Sequence, residues 1–207
     1  MRPQHLRVIA PLVIAAAVVA GPALLSGGRA WAGTPTSEVR GFLARAVSIA
    51  ENVELAPRER LDSVHRMLAD AFDFRGAAEL ALGQHWRART PAERREFVPL
   101  FADLLERSYL SQIKARVKLD GSVKIDYLGE SVKGTHATVQ TVVRREGRED
   151  VPFDYRMIRR GKRWLVRDVV IDGVSLVENY RAQFAKTMEG SSFRQLIVTM
   201  KTGEPPR

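Results

Sequence analysis

At residue 122 the hydrophobic period of this chain changes, and that change limits the folds open to its 207 residues. Upstream, apolar side chains recur every three or four positions; downstream they alternate. Pro35 stands at a helix start with Glu38 in the first turn, and Val39, Phe42, Leu43, Ala46, Val47 and Val53 mark one face. Pro57 opens a second helix with Leu61, Val64, Leu68 and Phe72 on its buried side, and Asp73 caps a third that runs through Leu82 and ends at Gly83. Thr90-Pro91-Ala92-Glu93 is a capping box with proline at the first helical position. Phe97, Phe101, Leu104, Leu105, Tyr109 and Ile113 follow it in register. Pro99 lies within that helix and removes one backbone bond, which predicts a kink near its N-terminal end.

Downstream, Val123, Ile125 and Tyr127 alternate with polar neighbours, as do Ala137, Val139, Thr141 and Val143, and then Val151, Phe153, Tyr155 and Met157. Turns at Glu146-Gly147-Arg148 and Arg160-Gly161-Lys162 join the later strands into a meander of hairpins. Pro152 cannot donate a ladder bond, which predicts an edge or a bulge there. Trp164 to Ile171 is apolar on both faces apart from Arg167 and Asp168, a pattern suited to a central, doubly covered strand. Ser175-Leu176-Val177-Glu178 is a second capping box, opening a helix with Leu176, Val177, Tyr180, Phe184 and Met188 on one side. Ser192-Phe193-Arg194-Gln195 opens a final short helix before the GEPPR tail. Helices, then an antiparallel four-stranded sheet, then helices make an α+β fold.

The N-terminus has a different character. MRPQHLR precedes the mostly apolar VIAPLVIAAAVVAGPALL, and Ala30-Trp31-Ala32 forms a cleavage site before Gly33, as in a secretory signal. An uncleaved membrane anchor is the competing reading, but Pro11, Gly21 and Pro22 interrupt the apolar run. Residues 1–32 are therefore assigned to a signal peptide and 33–207 to a single domain. Removing 1–32 takes away Arg2, Arg7 and Arg29 and no acid, so 33 basic against 24 acidic side chains becomes 30 against 24, a net +6. With no cysteine there is no disulfide or thiol chemistry. An exported, basic, disulfide-free domain fits a bacterial periplasm, which excludes nucleic acid as a partner.

Residues with catalytic potential are sparse. The G-x-S-x-G elbow is absent around Ser175, which reads as a helix cap. His65, His85 and His136 have no partner at metal-ligand spacing. Glu93 and Glu96 share a helix turn but are flanked by Arg94 and Arg95, as on a solvated face, and no glycine-rich phosphate loop follows a strand. Asp172-Gly173 splits the apolar run VVIDGVSLV, either as a turn presenting a reacting carboxylate or as a corner between strand and helix. Asn179 and Arg181 are candidates for fixing such a corner. With no nucleophile-base pair and no cofactor motif, the chain is expected not to be an enzyme. Two basic clusters stand out: Arg87, Arg89, Arg94 and Arg95 at a helix start, and Arg156, Arg159, Arg160, Lys162 and Arg163 around a hairpin. Either they dock anionic lipid surfaces or acidic partners, or they are solvated charge guarding sheet edges. The large apolar residues of sheet and helices form either a packed core or the walls of a cavity.

Two segments resemble the toluene-tolerance/MlaC family of periplasmic lipid-transport proteins. In GQHWRARTPAERREFVPLFADLLERSYLSQI (83–113), Trp86 and Arg87 precede the Thr90-Pro91 helix start, and Phe97, Phe101, Leu104 and Leu105 lead to Tyr109. In the second, VVIDGVSLVENYRAQF (169–184) with Asp168 before it, the matches are Asp168, Gly173, Val174, Ser175, Leu176, Asn179, Tyr180, Arg181 and Phe184. The resemblance spans roughly residues 36–202. Pro99 departs from the family pattern and bears on the pocket's width. The resemblance implies a carrier holding phospholipid acyl chains in an apolar cavity between a curved antiparallel sheet and helices. Its partners would be an inner-membrane ABC transporter complex and an outer-membrane lipoprotein complex. For a hopanoid-associated, HpnM-like branch the ligand would be a polycyclic hopanoid. The lipid-binding residues so implied are Phe101, Leu105, Tyr109, Val139, Phe153, Tyr155, Trp164, Val169, Val174, Val177, Tyr180 and Phe184. No cofactor is implied.

Overall fold

A computed structural model of the chain describes residues 33–116, 123–145 and 147–202. The proposed signal peptide, Glu146 of the first hairpin turn and the GEPPR tail lie outside the described residues. The order is α1 (Pro35–Glu51), α2 (Pro57–Ala71), α3 (Phe74–Leu82), a 3-10 turn (Gly83–Trp86), α4 (Pro91–Arg116), β1 (Lys124–Lys133), β2 (His136–Arg144), β3 (Val151–Arg160), β4 (Arg163–Ile171), β5 (Val174–Ser175), α5 (Leu176–Gly190) and α6 (Phe193–Thr202).

Local chemistry starts most of the helices. The Thr34 side chain accepts from Ser37 N at 3.2 Å ahead of Pro35. Asp73 accepts from Gly76 N at 3.0 Å and starts α3, while Gly83, at φ 54°, ends it. The box at α4 is reciprocal: Glu93 N donates to Thr90 Oγ1 at 3.2 Å, and Thr90 N donates to Glu93 Oε2 at 2.7 Å. That bond lowers the Glu93 pKa, because it favours the charged carboxylate. α4 then continues through Pro99 to Arg116. Two apolar residues leave the predicted faces: Val53, beyond the end of α1, and Leu61, on α2, are both exposed.

The sheet is an antiparallel meander, β1-β2-β3-β4-β5, with five strands rather than four because Val174 and Ser175 add a short pairing to β4. Its register sets Val139 opposite Tyr155 and Thr141 opposite Phe153, with Tyr155 opposite Val169 and Phe153 opposite Ile171. One face therefore carries a continuous apolar surface. Pro152 does not mark an edge, since β3 is the middle strand. It sits second in the strand, pairs with Val142, and its carbonyl accepts from Asp172 N at 3.0 Å. The register shifts lie instead at Arg167 of β4, between the Asp168–Arg156 and Val166–Met157 pairs, and at Leu128 of β1. Nor is β4 central: beyond it lies only two-residue β5. The rest of its free edge is capped where α2 meets α3, with Phe72 bridging Val166 and Asp73 N donating to Val166 O at 2.8 Å. A strand covered in this way has no template left for edge pairing.

The Asp172-Gly173 corner is a tight turn with both residues at positive φ (52° and 78°) and Asp172 exposed. What holds the corner is Asp168, only 4 % exposed. Its carboxylate accepts from Ser175 Oγ at 2.7 Å, from Val177 N at 3.1 Å and from Arg156 Nη1 at 3.1 Å. Ser175 Oγ in turn accepts from Glu178 N, starting α5. Glu178 does not close the box; its carboxylate takes Arg156 at 2.9 Å. Arg181 lies instead against Gly83 of the 3-10 turn.

Candidate functional site

Two aromatic groups divide the interior along α4. Near its start, Phe97 and Phe101 stack at 5.7 Å, and Phe184 of α5 meets both edge-on at 5.8 and 5.9 Å. Tyr180 and Phe193 complete that group, which fills the space between α4, α5 and α6. Further along α4, Tyr109 lies 5.9 Å from Phe72 and 6.4 Å from Phe42, against the sheet. Here the packing does not close.

A cavity of about 350 Å³ opens there between α1, α2, the C-terminal part of α4 and the first three strands. Leu43, Ala46, Val47, Ile49 and Ala50 of α1 form one wall, and Val64 and Met67 of α2 the second. Tyr109, Leu110 and Ile113 of α4 close the end, while Val123, Ile125, Val143, Phe153 and Tyr155 form the floor. The volume falls at the lower end of small-molecule sites, roughly 300–1,000 Å³.

The polar groups at this cavity are already partnered. The Tyr109 and Tyr155 hydroxyls hydrogen bond to each other; burial pushes Tyr109 up to about 12 and Tyr155 well above its ordinary value. Arg60 is the charged residue of the lining, and its guanidinium is spent on backbone carbonyls: Ala50 at 2.9 Å, Asn52 at 2.9 Å and Leu55 at 3.4 Å. It thereby caps the end of α1 while its stem lines the rim. Beside the cavity, His65 Nδ1 of α2 sits 2.8 Å from Glu106 Oε1 of α4. Burial raises the Glu106 pKa, against the opposing effect of His65.

A wider groove of about 680 Å³ adjoins the cavity and shares Leu43, Val47, Val123 and Ile125 with it. Arg40, Ser48, Glu51, Asn52 and Tyr127 give this groove its polar rim. α1 runs along edge strand β1 as a wedge. At its start, Thr36 donates from N and Oγ1 to Glu130 Oε2 at 2.8 and 2.6 Å. One turn on, the Arg40 guanidinium stacks 3.8 Å over the Tyr127 ring. Beyond that clasp the gap widens into groove and cavity. The arrangement offers an apolar pocket with a polar, charged mouth. Among the described residues no His, Cys, Asp and Glu cluster could hold a metal, and no helix is long and apolar enough to cross a membrane.

A family model described as MlaC protein matches residues 43–202. The chain belongs to the MlaC family. No curated protein matches the sequence. Among solved structures, the chain is similar to the phospholipid-binding protein from Ralstonia solanacearum, solved in complex with a phospholipid, at a TM-score of 0.71 and 21% identity. The match covers 82% of this chain and 96% of that one. The likeness shows that the MlaC fold extends to this chain.

Against that fold, the sequence-named residues separate into groups. Tyr109, Phe153 and Tyr155 line the cavity. Val139 and Val169 flank Tyr155 in the sheet register, buried in the layer beside it. Phe101, Tyr180 and Phe184 form the filled aromatic group, with Tyr180 half-buried. Leu105, Trp164 and Val177 are buried but absent from the cavity lining, and Val174 is 55% exposed beside the corner. The walls from α1 and α2 were read from the sequence as apolar helix faces, through Leu43, Ala46, Val47 and Val64, but not as lipid-binding residues. Their signal was present as a run of small apolar residues, Ala46, Val47 and Ala50, where a packed helix face carries larger ones.

Proposed function

We propose that this MlaC-family protein is a periplasmic lipid carrier, with the cavity between α1, α2 and the sheet taking acyl chain and the adjoining groove leaving the headgroup in water. The observation that carries this reading is the apolar cavity itself, whose lining has one charged residue, Arg60, already satisfied at the rim. The phospholipid held by the structurally similar Ralstonia solanacearum protein supports the choice of ligand. The task fits the physics. A diacyl lipid exposing roughly 30 methylene groups costs on the order of 25 kcal/mol in water, at about 0.8 kcal/mol each. A carrier need only supply apolar walls and a dry closure. Shuttling between an outer-membrane lipoprotein complex and an inner-membrane ABC transporter is the proposed physiological setting, reached through the N-terminal signal.

Mass spectrometry of lipid extracted from the purified protein tests the reading and distinguishes phospholipid from hopanoid by mass. Folded protein that carries no lipid and takes up none from vesicles refutes it.

A further inference from the structure

The two basic clusters have different fates in the fold. Around the β3–β4 hairpin most of the arginines are engaged. Arg156 pairs with Asp168 and Glu178, Arg160 with Asp73 at 2.8 Å, and Arg163 with Asp70 at 2.9 Å, while Arg159 lies over Trp164. That cluster is tied into the structure. At the start of α4 the picture differs. Arg89 pairs with Glu93, and Arg94 donates to the Trp86 and Arg87 carbonyls. Arg95, on the same turn, and Arg75, across from it on α3, are exposed and make no ion pair or hydrogen bond among the described residues.

These arginines surround a hollow of about 550 Å³ whose lining is Arg75, Trp86, Pro91, Arg94, Arg95, Val98 and Pro99, with no carboxylate. Pro99 has no N–H, so the carbonyl four residues back, that of Arg95, loses its helical donor. The hollow thus presents two uncommitted guanidinium groups and an apolar floor. It lies at the opposite end of α4 from the cavity: Arg95 and Leu110 are 15 residues apart, roughly 22 Å at 1.5 Å per residue.

We propose that this hollow docks an acidic peptide segment of a partner protein, its carboxylates on Arg75 and Arg95 and an apolar side chain against Val98 and Pro99. Charge complementarity requires an anionic occupant, and the concave shape favours a peptide over a bilayer. A membrane surface is met by protruding apolar side chains, whereas Trp86 here is 4 % exposed.

The test is selection from a pooled library of synthetic octapeptides, acidic at alternate positions and varied elsewhere, on immobilised protein at low ionic strength, with a basic library as control. Acidic peptides bearing apolar residues are enriched on the wild type. The variant Arg75→Gln/Arg95→Gln, matched for thermal melting, loses affinity for them by about tenfold or more, since a charge-assisted contact is worth that much. Lys162→Gln, in the hairpin cluster, binds as the wild type does. Equal binding by the double variant, or no enrichment of acidic over basic peptides, overturns the proposal. So does an outcome in which the double variant loses only adhesion to phosphatidylglycerol vesicles, which assigns the patch to the membrane.

Discussion

The two ends of α4 are built from the same kinds of residue and end up doing opposite things. At its start, Phe97 and Phe101 meet Phe184, Tyr180 and Phe193, and the rings fill the space. Toward its end, Tyr109, Leu110 and Ile113 face Ala46, Val47 and Ala50, and a cavity remains. The difference lies in the partner helix. α5 and α6 bring aromatic rings to the interface; at the cavity α1 brings aliphatic side chains, Ala46, Val47 and Ala50 among them, with Phe42 packed beside it. The anchoring differs in the same sense. α5 is fixed at its first turn by a buried carboxylate, Asp168, whereas α1 is fixed to β1 through the exposed Glu130. One end is built as core, the other as a space with a wall held from its rim.

Substitutions can break that contrast. The largest effect is expected for Phe101→Ala at the filled end, a loss of roughly 3–5 kcal/mol in chemical denaturation, because the three neighbouring rings of Phe97, Tyr180 and Phe184 cannot collapse into the void. An equally low cost at this position and at cavity-lining Ile113 would mean that the two ends are packed alike. Asp168→Ala follows, at roughly 3 kcal/mol, since it strands Ser175 Oγ, the Val177 amide and part of Arg156's pairing at a buried corner. A change below about 1 kcal/mol would show that the corner is held by packing alone.

pH offers a milder probe of the open end. Burial raises the pKa of Tyr109 from 10.0 to about 12, and it raises that of Tyr155 well above its ordinary value. Their contribution to stability is whole below pH 10 and declines above it, that of Tyr109 being lost as pH climbs through 12, because the unfolded chain releases those protons first. Absorbance titration of the phenolates should show Tyr109 and Tyr155 ionising late, with Tyr127 also delayed by burial; titration of Tyr109 and Tyr155 near pH 10 would place water in the cavity's inner wall.

Much of the fold was legible in the sequence where local chemistry decided it. Thr90 and Glu93 make the reciprocal bonds their spacing implies, and the alternation through Ala137, Val139, Thr141 and Val143 gives the buried face of β2. Strand order was less legible. Pro152 read as an edge because its missing donor is a local fact, while its place on the middle strand depends on β4 folding back beside it. Val166 and Val170 made β4 look central, yet its free edge is covered by the distant Phe72 and Asp73. The site was partly legible. Large apolar residues such as Tyr109 and Phe153 stand out by size, and Phe184 stands out equally but fills space elsewhere. Ala46 and Ala50 contribute by what they lack, and a missing side chain has meaning only once the opposing wall is known.

The central claim is that the open end is a lipid pocket. It is tested most directly by comparing the lipid content of the wild type and Ala46→Trp by native mass spectrometry, with stability measured in parallel. The account predicts that the indole occupies the cavity, that bound lipid disappears, and that stability changes by less than the roughly 1–3 kcal/mol typical of overpacking a filled core. Ala46→Trp protein that folds as well as the wild type and carries the same lipid would contradict it.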